Sequence, residues 1–302
     1  MKKLFISILL IAASLSLGAQ ALPFVAADYN PTTLAKGGVS STEVSSVAYA
    51  SFANPAAIVF YDGTMDVSAG YVSWQPNSVK SSVITAGGAY KIGSKFGLSL
   101  GFSTGAYPEY GLVDLSGYEK GTFKPSDMQF GLGLACKVLP YLSLGANIGY
   151  ASQKLSPDVS YGAFDADIYA MAKFGGLNVT LGVADLGGKV TSQSGTAFPL
   201  PSSAKAGVGY YMTPVEKHGI EVNGEASYYF SGDFSAAVGA SYTYDGMFSV
   251  RAGYRYGGDS VIPSFVSAGL GVRFYGVKLD LVYLLGSTAM ANTFGVSLGY
   301  AF

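Results

Sequence analysis

The sequence predicts an all-β protein, a transmembrane antiparallel β-barrel of about 14 strands with an N-terminal plug. Three observations lead there. The chain opens like an exported protein, it alternates apolar and small or polar residues at strand period over most of its length, and it is hydrophobic without an apolar run of helical spanning length.

The opening comes first. Lys2 and Lys3 precede an apolar run from Leu4 to Leu17, and Ala19-Gln20-Ala21 follows. A basic n-region, an h-region and a small-x-small site in that order specify a secretory signal peptide over 1–21, cleaved before Leu22. The run falls short of the roughly 20 residues that cross a hydrocarbon core, so it is not read as an anchor.

From 22 to 62 the strand alternation is absent. Ser40 with Glu43 three residues later has the form of a capping box, and Val44, Val47, Ala48, Ser51 and Phe52 follow at helical spacing. A short helix is expected, ending near Ala53 because Pro55 disfavours a helical Asn54. A compact segment with many small side chains suits the inside of a barrel, so 22–62 is read as a plug with Asn54, Pro55 and Ala56 as its structural anchors.

From 63 to 302 the alternation carries the argument, since successive side chains of a strand point to opposite faces. Phe294, Val296, Leu298, Tyr300 and Phe302 form a lipid face against Thr293, Gly295, Ser297, Gly299 and Ala301. Leu142, Leu144, Ala146, Ile148 and Tyr150 do so against Ser143, Gly145, Asn147 and Gly149, and Phe96, Leu98, Leu100 and Phe102 against Gly97, Ser99, Gly101 and Ser103. A last strand ending in Phe resembles the signal that outer-membrane assembly machinery reads on its clients. Tyr71, Trp74, Tyr90, Tyr150, Tyr228 and Tyr242 stand near strand ends and suit the headgroup level.

Some inner faces are charged. Arg251 and Arg255 share one strand face, Glu221, Asn223 and Glu225 another, and Asp165, Asp167 and Lys173 a third. An arginine facing lipid at the bilayer midplane costs about 2–4 kcal/mol, so these belong to the lumen, where they are expected to pair and fill it. Tight turns at 92–95, 138–141, 174–176 and 275–276 alternate with long polar segments such as Tyr107 to Asp127 and Lys189 to Ser203. That asymmetry places short turns on the periplasmic side and long loops outside.

Composition narrows function. Hydrophobic residues make up 49% of the chain and charged ones only 12%, with 41 Gly, 23 Tyr and 18 Phe. A soluble domain carries about twice that charged fraction. A net charge of -1 gives no footprint for nucleic acid. His218 is the only histidine and Cys136 the only cysteine, which excludes an intrachain disulfide. His218 sits in a polar turn and Cys136 on an outward face. The carboxylate pairs Asp165 with Asp167 and Glu221 with Glu225 have no nucleophile, oxyanion hole or metal cluster beside them. The chain is therefore expected to be non-enzymatic, with no cofactor and no metal site.

Ala35-Lys36-Gly37-Gly38, then Asn54-Pro55-Ala56, then about 14 alternating strands, resembles the superfamily of outer-membrane long-chain fatty acid transporters. Within it, the spacing from the Gly-Gly pair to Asn-Pro-Ala, ending at Ala57, is similar to the PorV/PorQ family of the type IX secretion system. This resemblance implies an outer-membrane component of a protein secretion and surface attachment system, partnered by outer-membrane lipid and by secretion-system proteins or secreted cargo. The other reading the superfamily implies is an outer-membrane transporter of hydrophobic small molecules such as long-chain fatty acids. That reading expects a hydrophobic ligand in a greasy pocket between hatch and wall, open to the outside, whereas the secretion component expects stable partner proteins and an occluded lumen.

Overall fold

The computed structural model describes residues 20–114, 116–257, 262–286 and 290–302. The expected leader over 1–21 lies outside these residues except for Gln20 and Ala21. Fourteen strands close into an antiparallel barrel that begins at Met65, in agreement with the alternation.

In chain order the wall strands are β1 (Met65–Trp74), β2 (Ser81–Ile92), β3 (Phe96–Ala106), β6 (Ser126–Leu139) and β7 (Leu142–Ser156). They continue with β8 (Val159–Phe174), β9 (Leu177–Gly187), β12 (Ser203–Val215), β13 (His218–Tyr229) and β14 (Phe234–Tyr244). β15 (Phe248–Tyr256), β16 (Phe265–Phe274), β17 (Val277–Gly286) and β18 (Phe294–Ala301) complete the wall. Two small hairpins, β4 (Tyr110–Val113) with β5 (Glu119–Phe123) and β10 (Val190–Thr191) with β11 (Ala197–Phe198), lie within the long segments. The seam pairs β1 with β18, from Asp66 opposite Ala301 to Ser73 opposite Phe294.

The two ends differ as the sequence predicts. One end carries tight turns. Tyr275 and Gly276 alone join β16 to β17, both at positive φ, which matches the right-handed twist of the strands they connect. The other end carries the long loops and both hairpins. Along most strands the outward residues are exposed and the inward ones buried. Leu298 is 60% exposed beside Ser297 at 3%, and Ile148 is 64% exposed beside Asn147 at 4%. Cys136 stands on the outward face between Phe96 and Leu144 of the adjoining strands.

Trp74 departs from the expected belt. It is buried and packs edge-on against Tyr29 at 5.1 Å between ring centroids. The reason is parity: Trp74 shares a strand face with Asp66, Ser68, Gly70 and Val72, and that face looks into the lumen.

The expected helix from Ser40 to Ala53 is absent. In its place are turns and a single 3-10 turn, Ala50–Phe52. The backbone donors that a helix would use are taken by carboxylates. Glu225 accepts from the N–H groups of Ser40 and Ser41, Glu43 from Ser45 and Ser46, and Asp66 from Val47 and Ala48. The regular turns lie elsewhere. A four-residue α-helix, Pro31–Leu34, is capped by the Asn30 side chain, and a 3-10 helix, Pro55–Phe60, by that of Asn54. Pro55 thus opens a helical turn: its missing N–H is an orphan at a first helical position anyway.

Candidate functional site in the lumen

The segment from Gln20 to Asp62 threads the lumen and meets the wall from the inside. Contact is close because the wall is thin where the segment passes. A Cβ on Gly253 would lie 2.1 Å from the Gly37 nitrogen, and one on Gly145 would lie 2.3 Å from the Ala56 nitrogen. Small residues on both surfaces let two backbones approach where side chains would separate them.

Wall side chains then clamp that backbone. Arg255 donates from Nε to the Gly37 carbonyl at 3.0 Å and from Nη2 to the Gly38 carbonyl at 2.8 Å. Gly37 N–H donates to Ser267 Oγ at 3.0 Å, and Thr180 Oγ1 donates to the Ser41 carbonyl at 3.1 Å. Lys278 bonds Asp66, which in turn holds Val47 and Ala48. At the turn end Lys91 and Lys173 donate to the carbonyls of Tyr61 and Phe60, where a helix terminus favours positive charge. Nearby, Lys137 sits over the Phe60 ring.

Lys36 is a deeply buried charge of the enclosed segment. Its Nζ lies 2.5 Å from Glu43 and 3.1 Å from Glu221, with its side chain 1% exposed. Burial alone would raise the Glu43 carboxyl, but the Lys36 ammonium and hydrogen bonds from Lys36 and Ser45 override it and hold it at about 2. Burial likewise pulls Lys36 down, and the carboxylates of Glu221 and Glu43 outweigh it and hold the ammonium above its usual value.

Asn54, Pro55 and Ala56 meet the wall at β6 and β7. Asn54 Oδ1 accepts from Ala56 N–H at 2.9 Å while its Nδ2 donates to the Ser41 carbonyl at 2.6 Å. Ser143 Oγ donates to the Ala56 carbonyl at 2.7 Å, and Pro55 packs over Gly133.

The lumen-facing charges are not evenly spread. Toward the turn end stand Lys91, Lys137, Lys173, Arg251, Arg273 and Lys278, against Asp66, Glu221 and Asp280. Toward the loop end stand Asp127, Asp165, Asp167, Asp185 and Glu225, against Lys205 and Arg255. Cations outnumber acids at one end and acids outnumber cations at the other. Arg251 pairs with Asp280 at 2.6 Å. Asp165 and Asp167 do not converge with a nucleophile, and Glu221 and Glu225 serve the enclosed segment. Among the described residues no group of His, Cys, Asp or Glu side chains is arranged to hold a metal ion. His218 Nδ1 lies 2.7 Å from the Tyr242 hydroxyl on the outer surface near the turn end.

One sector of the lumen wall is apolar. On β1, β2, β16 and β17, Val72, Trp74, Val83, Phe265, Val282 and Leu284 turn inward at the loop end, with Leu34 and Tyr29 of the segment packed against them. A cavity of about 510 Å³ lies at the turn end and is lined by both charges and small polar residues, among them Lys173, Glu221, Arg251 and Asp280. The transporter reading expects an open greasy pocket between hatch and wall; among the described residues that apolar wall is covered instead by Leu34 and Tyr29 of the segment. Sequence reasoning missed Trp74, Phe265 and Leu284; the parity of Asp66 with Trp74 was the signal that could have found the first.

No protein-family model and no curated protein matches the sequence. The fold matches solved structures. The toluene transporter TbuX of Ralstonia pickettii superposes with a TM-score of 0.60 over 90% of this chain and 97% of its own, at 12% identity. The Pseudomonas putida toluene transporter TodX gives 0.60 over 90% and 96%, at 14% identity. A FadL homologue of Pseudomonas aeruginosa gives 0.54 over 91% and 98%, at 13%. At such identities the likeness is one of fold: a closed 14-strand antiparallel barrel of FadL/TodX type with an N-terminal region before it. The chain has the fold of bacterial outer-membrane β-barrels. The narrower resemblance to PorV/PorQ gains no support from these structures.

Proposed function

We propose that the protein is an outer-membrane channel for hydrophobic small molecules. The observation that carries this reading is the inward-facing apolar sector at the loop end. A barrel that passes water keeps a polar interior, whereas here Trp74, Phe265 and Leu284 face the lumen and are covered by Tyr29 and Leu34. A hydrophobic compound arriving from the loop side makes the same contacts in exchange for those two side chains. That two matched structures are toluene transporters supports the same class of ligand.

The other reading, a component of a secretion and attachment system with secretion-system proteins or secreted cargo as partners, rests on the motifs between Ala35 and Ala57. The apolar sector favours the channel. One experiment separates them. Trp74 is the only tryptophan, so its fluorescence in the purified barrel reports on the sector directly. Toluene should change that emission saturably. Emission that never saturates, with secretion proteins co-purifying in fixed ratio from native membranes, would replace the channel by the secretion component.

A further inference from the structure

A small polar space of about 30 Å³ adjoins the apolar sector in the loop-end half of the lumen. Its lining includes Leu34, Trp74, Ile262 and Phe265 of that sector. It also includes Asp28, Asp167, Asp185 and Glu225, with Lys205 and Arg255 as the cations among its described lining residues. Four carboxylates thus share two cations. Glu225, Arg255 and Asp167 are committed to protein partners: Glu225 accepts from Ser40 and Ser41, Arg255 donates to the carbonyls of Gly37 and Gly38, and Asp167 accepts from Asn147 and from the Asp185 N–H. The other two acids are not so matched. Among the described residues nothing donates to the carboxylate of Asp185, a residue 6% exposed. Asp28 Oδ2 is likewise buried without a partner.

The wall itself aims Asp185 inward. Adjacent residues of a strand ordinarily face opposite ways, yet Ala184 and Asp185 are both buried where the pairing of β8 with β9 shifts register between Ala166 and Ile168. A bulge re-aims a side chain in this manner. Asp185 takes a φ of 57°, a left-handed value that Asp tolerates better than most residues. Its backbone is held on both sides, the N–H by Asp167 Oδ1 at 2.7 Å and the carbonyl by Ser202 Oγ at 2.6 Å. The ladder is therefore interrupted to present an acid that no protein group satisfies. Buried polar groups seldom go unmatched. Across the space, burial pushes the Asp28 carboxyl up from its ordinary value, and hydrogen bonding and the Arg255 charge offset this only in part.

We propose that the molecule taken by the apolar sector carries a cationic amine, its apolar body on Trp74 and Phe265 and its ammonium in the polar space beside Asp28 and Asp185. The inference rests on the channel reading and adds a head group to it. An ammonium brings the positive charge and the three donors that these acids lack. A carboxylate head would meet an acidic excess instead, and a wholly apolar molecule would leave both acids as they are. Lys205 and Arg255 offset two of the four carboxylates, so one ammonium still enters an acidic site. Size agrees as well: one water needs about 10–15 Å³, and an ammonium group is comparable, so the space admits the head and leaves the body to the sector. Among the described residues the acids are not arranged to hold a metal ion, which leaves an organic cation as the fitting counter-charge.

The test titrates Trp74 emission in the purified barrel, its segment in place, with toluene, benzylamine and benzoate at neutral pH. The three share a ring and differ in the head. Benzylamine should half-saturate the change at a concentration several-fold below toluene, and benzoate at one above it. D185N should remove most of the benzylamine preference; D28N makes the same test if D185N lacks the heat-dependent gel mobility of an assembled barrel. Saturation by toluene with benzylamine no tighter overturns the ammonium site and leaves the channel reading standing. A full benzylamine preference in an assembled D185N barrel overturns the site too. No saturation by any of the three removes the channel reading, and the ammonium site with it.

Discussion

Each wall strand finds its backbone partners in the two strands beside it, while the enclosed segment finds many of its own in side chains of the wall. Tyr150 on β7 sits in a ladder between Phe130 and Phe164. Ser41, by contrast, donates its N–H to Glu225 and gives its carbonyl to Thr180 and Asn54. The wall is therefore stable on its own terms, and the segment is stable only as a guest. Variants that disturb the guest should leave the host standing.

The largest expected effect comes from Gly253→Val. Valine suits a strand, but its Cβ would displace Gly37 and Lys36, a clash worth at least the ~1–3 kcal/mol that overpacking typically costs. The segment over 20–62 should become sensitive to protease while the barrel keeps its heat-dependent gel mobility; loss of both would break the comparison. Next comes Glu225→Ala, which leaves the N–H groups of Ser40 and Ser41 without their acceptor at about 1–3 kcal/mol for a group left unsatisfied. Amide exchange should speed up at Ser40 and Ser41 and stay slow in the β13 ladder.

Acid gives a third, graded test. Glu43 is held at about 2, below its ordinary 4.5. Its contribution is therefore complete above the unfolded value and is lost as pH falls from there through about 2. Protease resistance of the segment should drop across that window, and Glu43→Gln should remove the dependence on pH.

The smallest effects fall on the anchor motif. Asn54→Ala loses a cap worth about 1 kcal/mol, and Pro55→Ala loses about 0.5 kcal/mol through a freer unfolded chain. Both should loosen the segment without unmaking the barrel. Unchanged proteolysis in either would remove the anchoring role proposed for Asn54, Pro55 and Ala56.

The same contrast explains what could be read in advance. Alternation at period two is a local property, so Leu142 to Tyr150 announced their faces without knowledge of any neighbour. The placement of Arg251 and Arg255 in the lumen followed from the cost of facing lipid. Ser40 to Phe52 could not be read that way. A capping box was visible, but the carboxylates that capture its donors include Glu225, 184 residues from Ser41, and Glu43 itself turned to Lys36. Trp74 was misplaced because an aromatic residue at a strand end suits both headgroups and lumen, and only the parity of its own strand decides.

The seam between β1 and β18 sets an order of assembly. Every other pairing in the wall joins strands that follow one another along it, with at most a small hairpin or loop between, and such contacts form early and cheaply. Closing Asp66 onto Ala301 spans nearly the whole wall and carries the highest loop-closure entropy of any pairing in it. The segment joins the wall at Thr64, one step from that seam. Since it enters beside the pairing with the longest closure, the segment can settle in the still-open sheet before the last edge meets the first.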